Sequence, residues 1–268
     1  MSIEIPDRWL GKPVEGALER ALKNPNPAPP IVTPSAPASI LPANNMGLNR
    51  ADYIILPSQT HGDYAYGDTL VSMQRSHLGE NWSESWDSLK SDGAYMLNIR
   101  QFVDFLKLLR SGRAFDGDGN SIQLSRLNGL YEEITEVRDP WRSEWLDAKF
   151  SMQAVGKKWV GLVNKNAMHI TYHTADPQGV LTEVTEPLEP YLASNKTPGI
   201  NLDNWRMSAT KHGLPAEDNP DGGLYYWQPV DGRVARFDAD SGRAYLDCNE
   251  GPAYRVAELG VRPARAKI

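Results

Sequence analysis

The chain has 268 residues, 28 Lys and Arg against 34 Asp and Glu, a net charge of -6 and a single cysteine, Cys248. That length buries one full core with room for a second small one, and nothing in the composition marks a disordered or fibrous protein. The acidic balance without any Lys or Arg run argues against direct nucleic-acid binding, no stretch reaches the roughly 20 apolar residues of a membrane span, and one cysteine cannot form an internal disulfide.

The start, MSIEIPDRWLGK, lacks the apolar core of a secretory signal, so export by that route is not expected, and location in the cytoplasm, a virion or at a cell surface stays open. Val14 to Lys23 carries apolar residues at helical spacing but is too short to stand alone. Seven prolines between Asn24 and Asn45 forbid helix and favour extended backbone, which makes residues 1–46 a short helix followed by an arm. A domain covering 47–268 then begins with an expected strand, Tyr53 to Pro57. Trp82, Trp86 and Leu89 share one face of a helix that Asp92-Gly93 stops. A short strand, Ala94 to Leu97, precedes a second helix from Ile99 to about Arg110, with Asn98 as its N-cap.

The stretch from about 113 to 220 reads as an insertion of mixed character. Ser125 is expected to cap a helix, Arg126 to Val137, that Asp139-Pro140 ends. Phe150 to Val155, Lys158 to Val163 and Ala167 to Tyr172 read as successive strands, and the proline-punctuated run Asp176 to Pro220 as an irregular surface segment.

From Gly222 to Ile268 the pattern sharpens. Ala235, Phe237 and Ala239 alternate with Val234, Arg236, Asp238 and Asp240; after the turn Ser241-Gly242, Ala244, Leu246 and Cys248 alternate with Tyr245, Asp247 and Asn249. Burying the apolar set of this hairpin turns Asp238, Asp240, Tyr245, Asp247 and Asn249 outward together. Glu250 to Glu258 has no periodicity and leads into a closing strand, Leu259 to Arg262, so it reads as a loop held at both ends of a rigid scaffold. Tyr225 and Tyr226 add aromatic area at the same end of the domain, where Tyr and Trp give contact at low entropic cost.

Two pieces, roughly 53–112 and 222–268, resemble the variable target proteins of diversity-generating retroelements, which have a C-type lectin fold of the formylglycine-generating-enzyme type. The frame residues are Val234-Ala235-Arg236-Phe237, Ser241-Gly242-Arg243-Ala244, Leu246, Cys248, Pro252 and Leu259-Gly260-Val261-Arg262. The resemblance implies an α+β, C-type lectin-like fold and a C-terminal surface whose codons are diversified at adenines. Asn codons changed in this way reach Asp, Tyr, Ser, Gly, Ala, Val and Arg but never Glu. Asp238, Asp240, Tyr245, Asp247, Asn249, Gly251, Ala253, Tyr254, Arg255, Val256 and Ala257 are all reachable, whereas Glu250 and Glu258 would need a Lys-type codon.

Other constellations point to structure. Asp116-Gly117-Asp118-Gly119-Asn120 starts like a calcium loop, but its twelfth position is Leu127 where a bidentate Glu is needed, so a hairpin turn is the better reading. His169 and His173 lie about 13 Å apart by strand rise, too far to share one ion unaided. Cys248 falls on the inward face, and a single cysteine cannot repeat the paired-cysteine chemistry of the formylglycine-generating enzymes. No metal, cofactor or catalytic group is therefore assigned. The expected function is binding of a macromolecule, a protein above all, through the 222–268 surface, with homo-oligomerisation compatible. The alternatives are an enzyme using an unrecognised pocket of the same fold, or a viral or cell-surface structural protein.

Overall fold

The computed structural model describes residues 48–267 apart from 156–164, 177, 190–195 and 217–221, together with Arg8–Trp9, Lys12–Pro13 and Ser39–Ile40. The expected helix Val14 to Lys23, the arm other than Ser39–Ile40 and the expected strand Lys158 to Val163 lie outside the described residues. The chain forms two compact units, residues 1–33 and 34–268. In the first, β1 (Arg8–Trp9) pairs antiparallel with β2 (Lys12–Pro13).

The second unit is α+β. It runs from β3 (Ser39–Ile40) through β4 (Tyr53–Leu56), the hairpin β5 (Gln59–His61) and β6 (Tyr64–Tyr66), and β7 (Thr69–Ser72) to helix α1 (Trp82–Ser91). Strand β8 (Tyr95–Met96) and helices α2 (Ile99–Ser111) and α3 (Leu124–Thr135) follow. Three long strands come next, β9 (Arg142–Val155), β10 (Lys165–Ala175) and β11 (Val180–Pro187), then β12 (Lys196–Ile200) and α4 (Leu202–Ser208). The chain closes with β13 (Leu224–Trp227), β14 (Val234–Ala239), β15 (Ala244–Glu250), β16 (Leu259–Val261) and β17 (Pro263–Ala266).

Local chemistry sets the helix ends. Asn81 and Glu84 form a capping box at the start of α1, and Asn98 and Gln101 form another at the start of α2, each satisfying backbone N–H groups that have no helical partner. Gly112 closes α2 in the left-handed conformation at φ 68°. Helix α3 begins at Leu124, because the Gln123 carbonyl already accepts from Arg126 and Leu127; Ser125 lies inside the first turn and does not cap it.

Two sheets frame the α2 helix. The smaller has the order β4-β7-β17-β8, so the last strand of the unit joins its first ones. The larger, nine-stranded among the described residues, has the order β12-β13-β15-β14-β9-β10-β11-β3, with β16 also on β9. The stretch 113–220 is thus built into the architecture rather than inserted beside it. Its strand β9 pairs with β14 along one edge and with β16 and β10 along the other. The run expected to be irregular supplies β11, β12 and α4, the last capped by Asn201. Among the described residues no helix is long and apolar enough to cross a membrane.

The core fills the space between the large sheet and the helices. Phe102 of α2 meets Phe237 of β14 at 5.2 Å, and Trp205 of α4 stacks on Phe237 at 6.0 Å. Leu246 and Cys248 of β15 are fully buried beside them. Gly260 in β16 is a close approach: a Cβ there would sit 2.7 Å from both the Ser76 carbonyl and Leu78.

A buried charge cluster joins the two sheets. Glu144 of β9, wholly inaccessible, pairs with Arg142 at 3.0 Å and accepts from Arg262 Nε at 3.1 Å. Arg262 also donates to the Ser72 carbonyl of β7, and Arg75 donates to the carbonyls of Ser143 and Glu258. Burial works against the Glu144 charge, but the guanidiniums of Arg142, Arg262 and Arg75 outweigh it and hold the carboxyl below the usual carboxylate range.

Replacing Glu144→Ala leaves the guanidiniums of Arg75, Arg142 and Arg262 to share the half-exposed Glu133 and is expected to cost about 3 kcal/mol in denaturant unfolding. Because the folded-state pKa lies below the unfolded one, the Glu144 contribution is present above about pH 4.3 and lost as pH falls through the folded value. The acid limb of the stability curve should therefore flatten in the variant, and an unchanged limb would remove this role.

Candidate functional site

The C-terminal hairpin has the register its alternation predicts. Ala235, Phe237, Ala239, Ala244, Leu246 and Cys248 all face the core and are buried. Asp240, Tyr245, Asp247 and Asn249 are partly exposed, as are Gly251 and Val256, while Ala253, Tyr254, Arg255 and Ala257 are exposed.

Two expected surface residues are not on the surface. Asp238 is completely buried, and so is Tyr226. For Asp238 the reason is what lies over it: the Arg236 guanidinium donates to its Oδ1 and is itself covered by the rings of Tyr245 and Tyr254. Val234 and Arg236 are buried with it. For Tyr226 the reason is parity. In the parallel pairing of β13 with β15 it lies beside the inward Leu246, whereas Tyr225 and Trp227 lie beside Tyr245 and Asp247 on the outer face.

The outer face therefore carries two rows. Tyr225, Tyr245 and Asp238 occupy one and Trp227, Asp247 and Arg236 the other, crossing from β13 to β14. A bulge between the Val234 and Arg236 pairings shifts the end of β15 by one residue, which puts Glu250 opposite Val234 on the outer side. From there it pairs with Arg236 at 2.9 Å.

Arg236 is the hub of this face. Its guanidinium reaches Asp238 at 3.1 Å and Asp247 at 3.4 Å, and it lies over the rings of Tyr254 at 5.0 Å and Tyr245 at 5.9 Å. Arg243 repeats the arrangement over Tyr225 at 4.8 Å and Trp227 at 5.9 Å. Trp227 in turn meets Tyr245 at 5.1 Å and stacks on Tyr225 at 6.3 Å. The result is a continuous run of four rings and two guanidiniums, Tyr225, Arg243, Trp227, Tyr245, Arg236 and Tyr254. Such cation–π contacts are each worth about 0.5–1 kcal/mol at exposed sites and about 2 when desolvated.

Burial dominates the electrostatics beneath the rings. It pushes the Asp238 carboxyl up to about 7 against the pull of Arg236, and it raises Asp247 and the Tyr245 hydroxyl in the same direction. Burial works against the Arg236 charge too, but Asp238, Asp247, Tyr245 and Glu250 outweigh it and hold its proton more tightly than usual. The hydroxyl of Ser143, the cross-strand neighbour of Asp238, hydrogen-bonds its carboxyl and, with Arg236, works against the upward push of burial.

The 250–258 loop is anchored along its length. The Pro252 carbonyl accepts from Trp82 N at 3.2 Å, the Glu258 carbonyl accepts from Ser143 N at 3.2 Å and from Arg75, and Arg255 pairs with Glu84 at 2.6 Å. No protein-family model, curated protein or solved structure matches this chain.

Trp227, Arg236 and Arg243 were not among the residues expected to form the site. The parity that placed Tyr245 outward extends to Trp227 only once the pairing of β13 with β15 is known. Arg236 and Arg243 belong to the frame by resemblance, and only their stacking on the rings gives them a place in the surface.

The remaining candidates are structural. Asp116 Oδ1 accepts from Asp118 N and Asn120 N, closing a tight turn. His169 and His173 lie on β10, and His173 bonds Asp147 and rests on the Trp86 ring at 4.3 Å. A cavity of about 230 Å³ is lined by His61, Asp104, Lys107 and Ser111, among others. Both Asp104 oxygens are engaged there, by His61 and the Tyr66 hydroxyl on one and Arg100 on the other, so the carboxylate pins β5 and β6 to α2. Among the described residues no three His, Cys, Asp or Glu side chains gather closely enough to hold a metal ion.

Two measurements check this division of labour. Leu246→Ala should cost about 2–5 kcal/mol, whereas Asn249→Ala and Ala257→Ser should stay within about 0.5 kcal/mol; similar losses at both kinds of position would make the outer face structural. The Asp238 pKa is higher folded than unfolded, so its favourable contribution is complete below about pH 4 and is lost as pH rises through about 7. Across that window the wild type should lose stability relative to Asp238→Asn, and parallel pH curves for the two proteins would show that Asp238 is not strained.

Proposed function

We propose that this chain is a ligand-binding protein whose outer C-terminal sheet face and 250–258 loop contact a macromolecular partner, a protein. The observation that carries the reading is the run of four rings stacked with Arg236 and Arg243. Trp, Tyr and Arg dominate binding energy at protein interfaces because they offer large, rigid area that desolvates well. Here the rings are held by neighbours before any partner arrives, so less ordering entropy is lost on binding.

We further propose a C-type lectin-like scaffold diversified by a retroelement. The scaffold reading is supported by the sequence of α1, β8 and α2 after the first sheet strands, and by the last strand joining those first strands. Diversification is supported by the position of Asp240, Tyr245, Asp247, Asn249, Gly251, Ala253, Tyr254, Arg255, Val256 and Ala257 at or near the surface. The two glutamates that an Asn codon cannot give, and that would need a Lys-type codon, lie at anchored positions, Glu250 by its pair with Arg236 and Glu258 by its carbonyl. Asp238 and Tyr226 drop out of the contact set and belong with the frame. A second DNA copy of the tail differing only at adenines, beside a reverse transcriptase gene, tests the origin.

One such face is expected to offer less than the roughly 800 Å² that a standard interface buries on each partner, with modest single-site affinity raised by multivalency. Partner capture by the full chain should fall at least about tenfold on Tyr245→Ala/Tyr254→Ala, the loss of about 1.4 kcal/mol or more. A captured partner that binds the double variant unchanged would remove this surface from the function.

A further inference from the structure

The cavity beside α2 is only partly accounted for by the carboxylate that pins the β5–β6 hairpin there. Asp104, Lys107, Leu108 and Ser111 recur at i, i+3, i+4 and i+7, so one stripe of α2 forms one wall, and Leu56, Pro57, Gln59 and His61, from the end of β4 through β5, form the other. At about 230 Å³ the space lies just below the roughly 300–1,000 Å³ of sites that take drug-sized ligands. It suits a smaller molecule. Its wall combines an apolar part, Leu56, Pro57 and Leu108, with a few polar groups, the make-up of a ligand site rather than of a packing defect.

Two of the polar groups have bonding capacity that the fold leaves unused. His61 Nε2 lies 2.7 Å from Asp104 Oδ2, and the same buried carboxylate accepts from the Tyr66 hydroxyl and from Arg100, so the imidazole is held in one orientation. Pinning the hairpin needs only Nε2. The other ring nitrogen, Nδ1, bonds to nothing among the described residues, and the side chain is 25% exposed on the cavity wall. Lys107, one turn along α2 from Asp104, pairs with no carboxylate among the described residues. The local charge is positive. Among the residues lining the space Asp104 is the only carboxylate, and Arg100 offsets it at 2.7 Å. Of the carboxylates on the flanking turns, Asp63 is paired with Lys211, and Asp68, which accepts from Ser58 N, is paired with Lys267.

We propose that this cavity binds a small organic monocarboxylate, its charged end held between Lys107 and His61 and its short apolar tail against Leu56, Pro57 and Leu108. The site is separate from the C-terminal surface and does not depend on the reading of that surface. A carboxylate accepts from the Lys107 ammonium and from Nδ1–H of His61. Only the imidazolium donates from both nitrogens, to Asp104 and to the ligand, so binding takes up a proton at His61 and weakens as pH rises. A cationic ligand would meet Lys107 with no free carboxylate to receive it.

The test titrates the isotopically labelled full chain with sodium butyrate, n-butylamine, n-butanol and sodium phosphate and follows amide and imidazole resonances. Butyrate is expected to give saturable shifts confined to β5 and the 104–111 face of α2, with an affinity at least about tenfold above those of the amine and the alcohol, which share its tail, and of phosphate, which shares only its charge. That affinity should fall between about pH 6 and about pH 8.5 and as salt rises. Lys107→Gln, at an exposed position, keeps the fold and should weaken butyrate about tenfold. His61→Gln should do the same; where it loosens the hairpin, the Lys107 variant decides. No saturable shift with butyrate, equal or tighter binding of any of the other three probes, an affinity level with pH, or butyrate binding unchanged by Lys107→Gln overturns the proposal.

Discussion

The constraint on which the rest of the structure depends is the ionised Glu144 at the junction of the two sheets. A lone carboxylate there would be too costly to bury, and it persists because Arg142, Arg262 and Arg75 surround it. Each arginine comes from a different part of the chain, from β9, from the link between β16 and β17, and from the segment after β7. Their remaining donors reach backbone carbonyls at Ser72, Ser143 and Glu258. The cluster thereby fixes where the C-terminal strands lie relative to β9, and with them the end of the 250–258 loop.

A second buried charge cluster, on the other side of β14, works differently. Glu144 is outnumbered by cations, but Arg236 is outnumbered by carboxylates. The first arrangement favours the ionised state and stabilises the fold. The second leaves Asp238 poised near neutrality.

Arg236 also links the two parts of the candidate surface. Its guanidinium touches Tyr245 on the hairpin and Tyr254 in the loop, so the loop is positioned by the same side chain that organises the strands. The core beneath is independent of this arrangement, with Phe237 held between Phe102 and Trp205.

Much of this was legible in the residues. The period-two alternation across Ser241-Gly242 determined which side chains of the hairpin face the core, because a one-residue slip would bury carboxylates and expose Phe237 and Leu246. The capping signals at Asn81 and Asn98 and the glycine at 112 determined where α1 and α2 begin and end, since those are local hydrogen-bond requirements. Tertiary structure alone decided what the outer side of each strand meets. Alternation cannot tell a strand with one wet face from one covered on both faces, so Asp238 reads as exposed until Arg236 and the rings of Tyr245 and Tyr254 are placed over it. It cannot anticipate the bulge that brings Glu250 to Arg236, because a bulge belongs to the pairing of two strands and not to the pattern of one. Nor can it see that Trp227 lies beside Asp247, a parallel pairing of strands seventeen or more residues apart. Local patterns record the periodicity of one segment, and the site is made where segments distant in the chain are brought together.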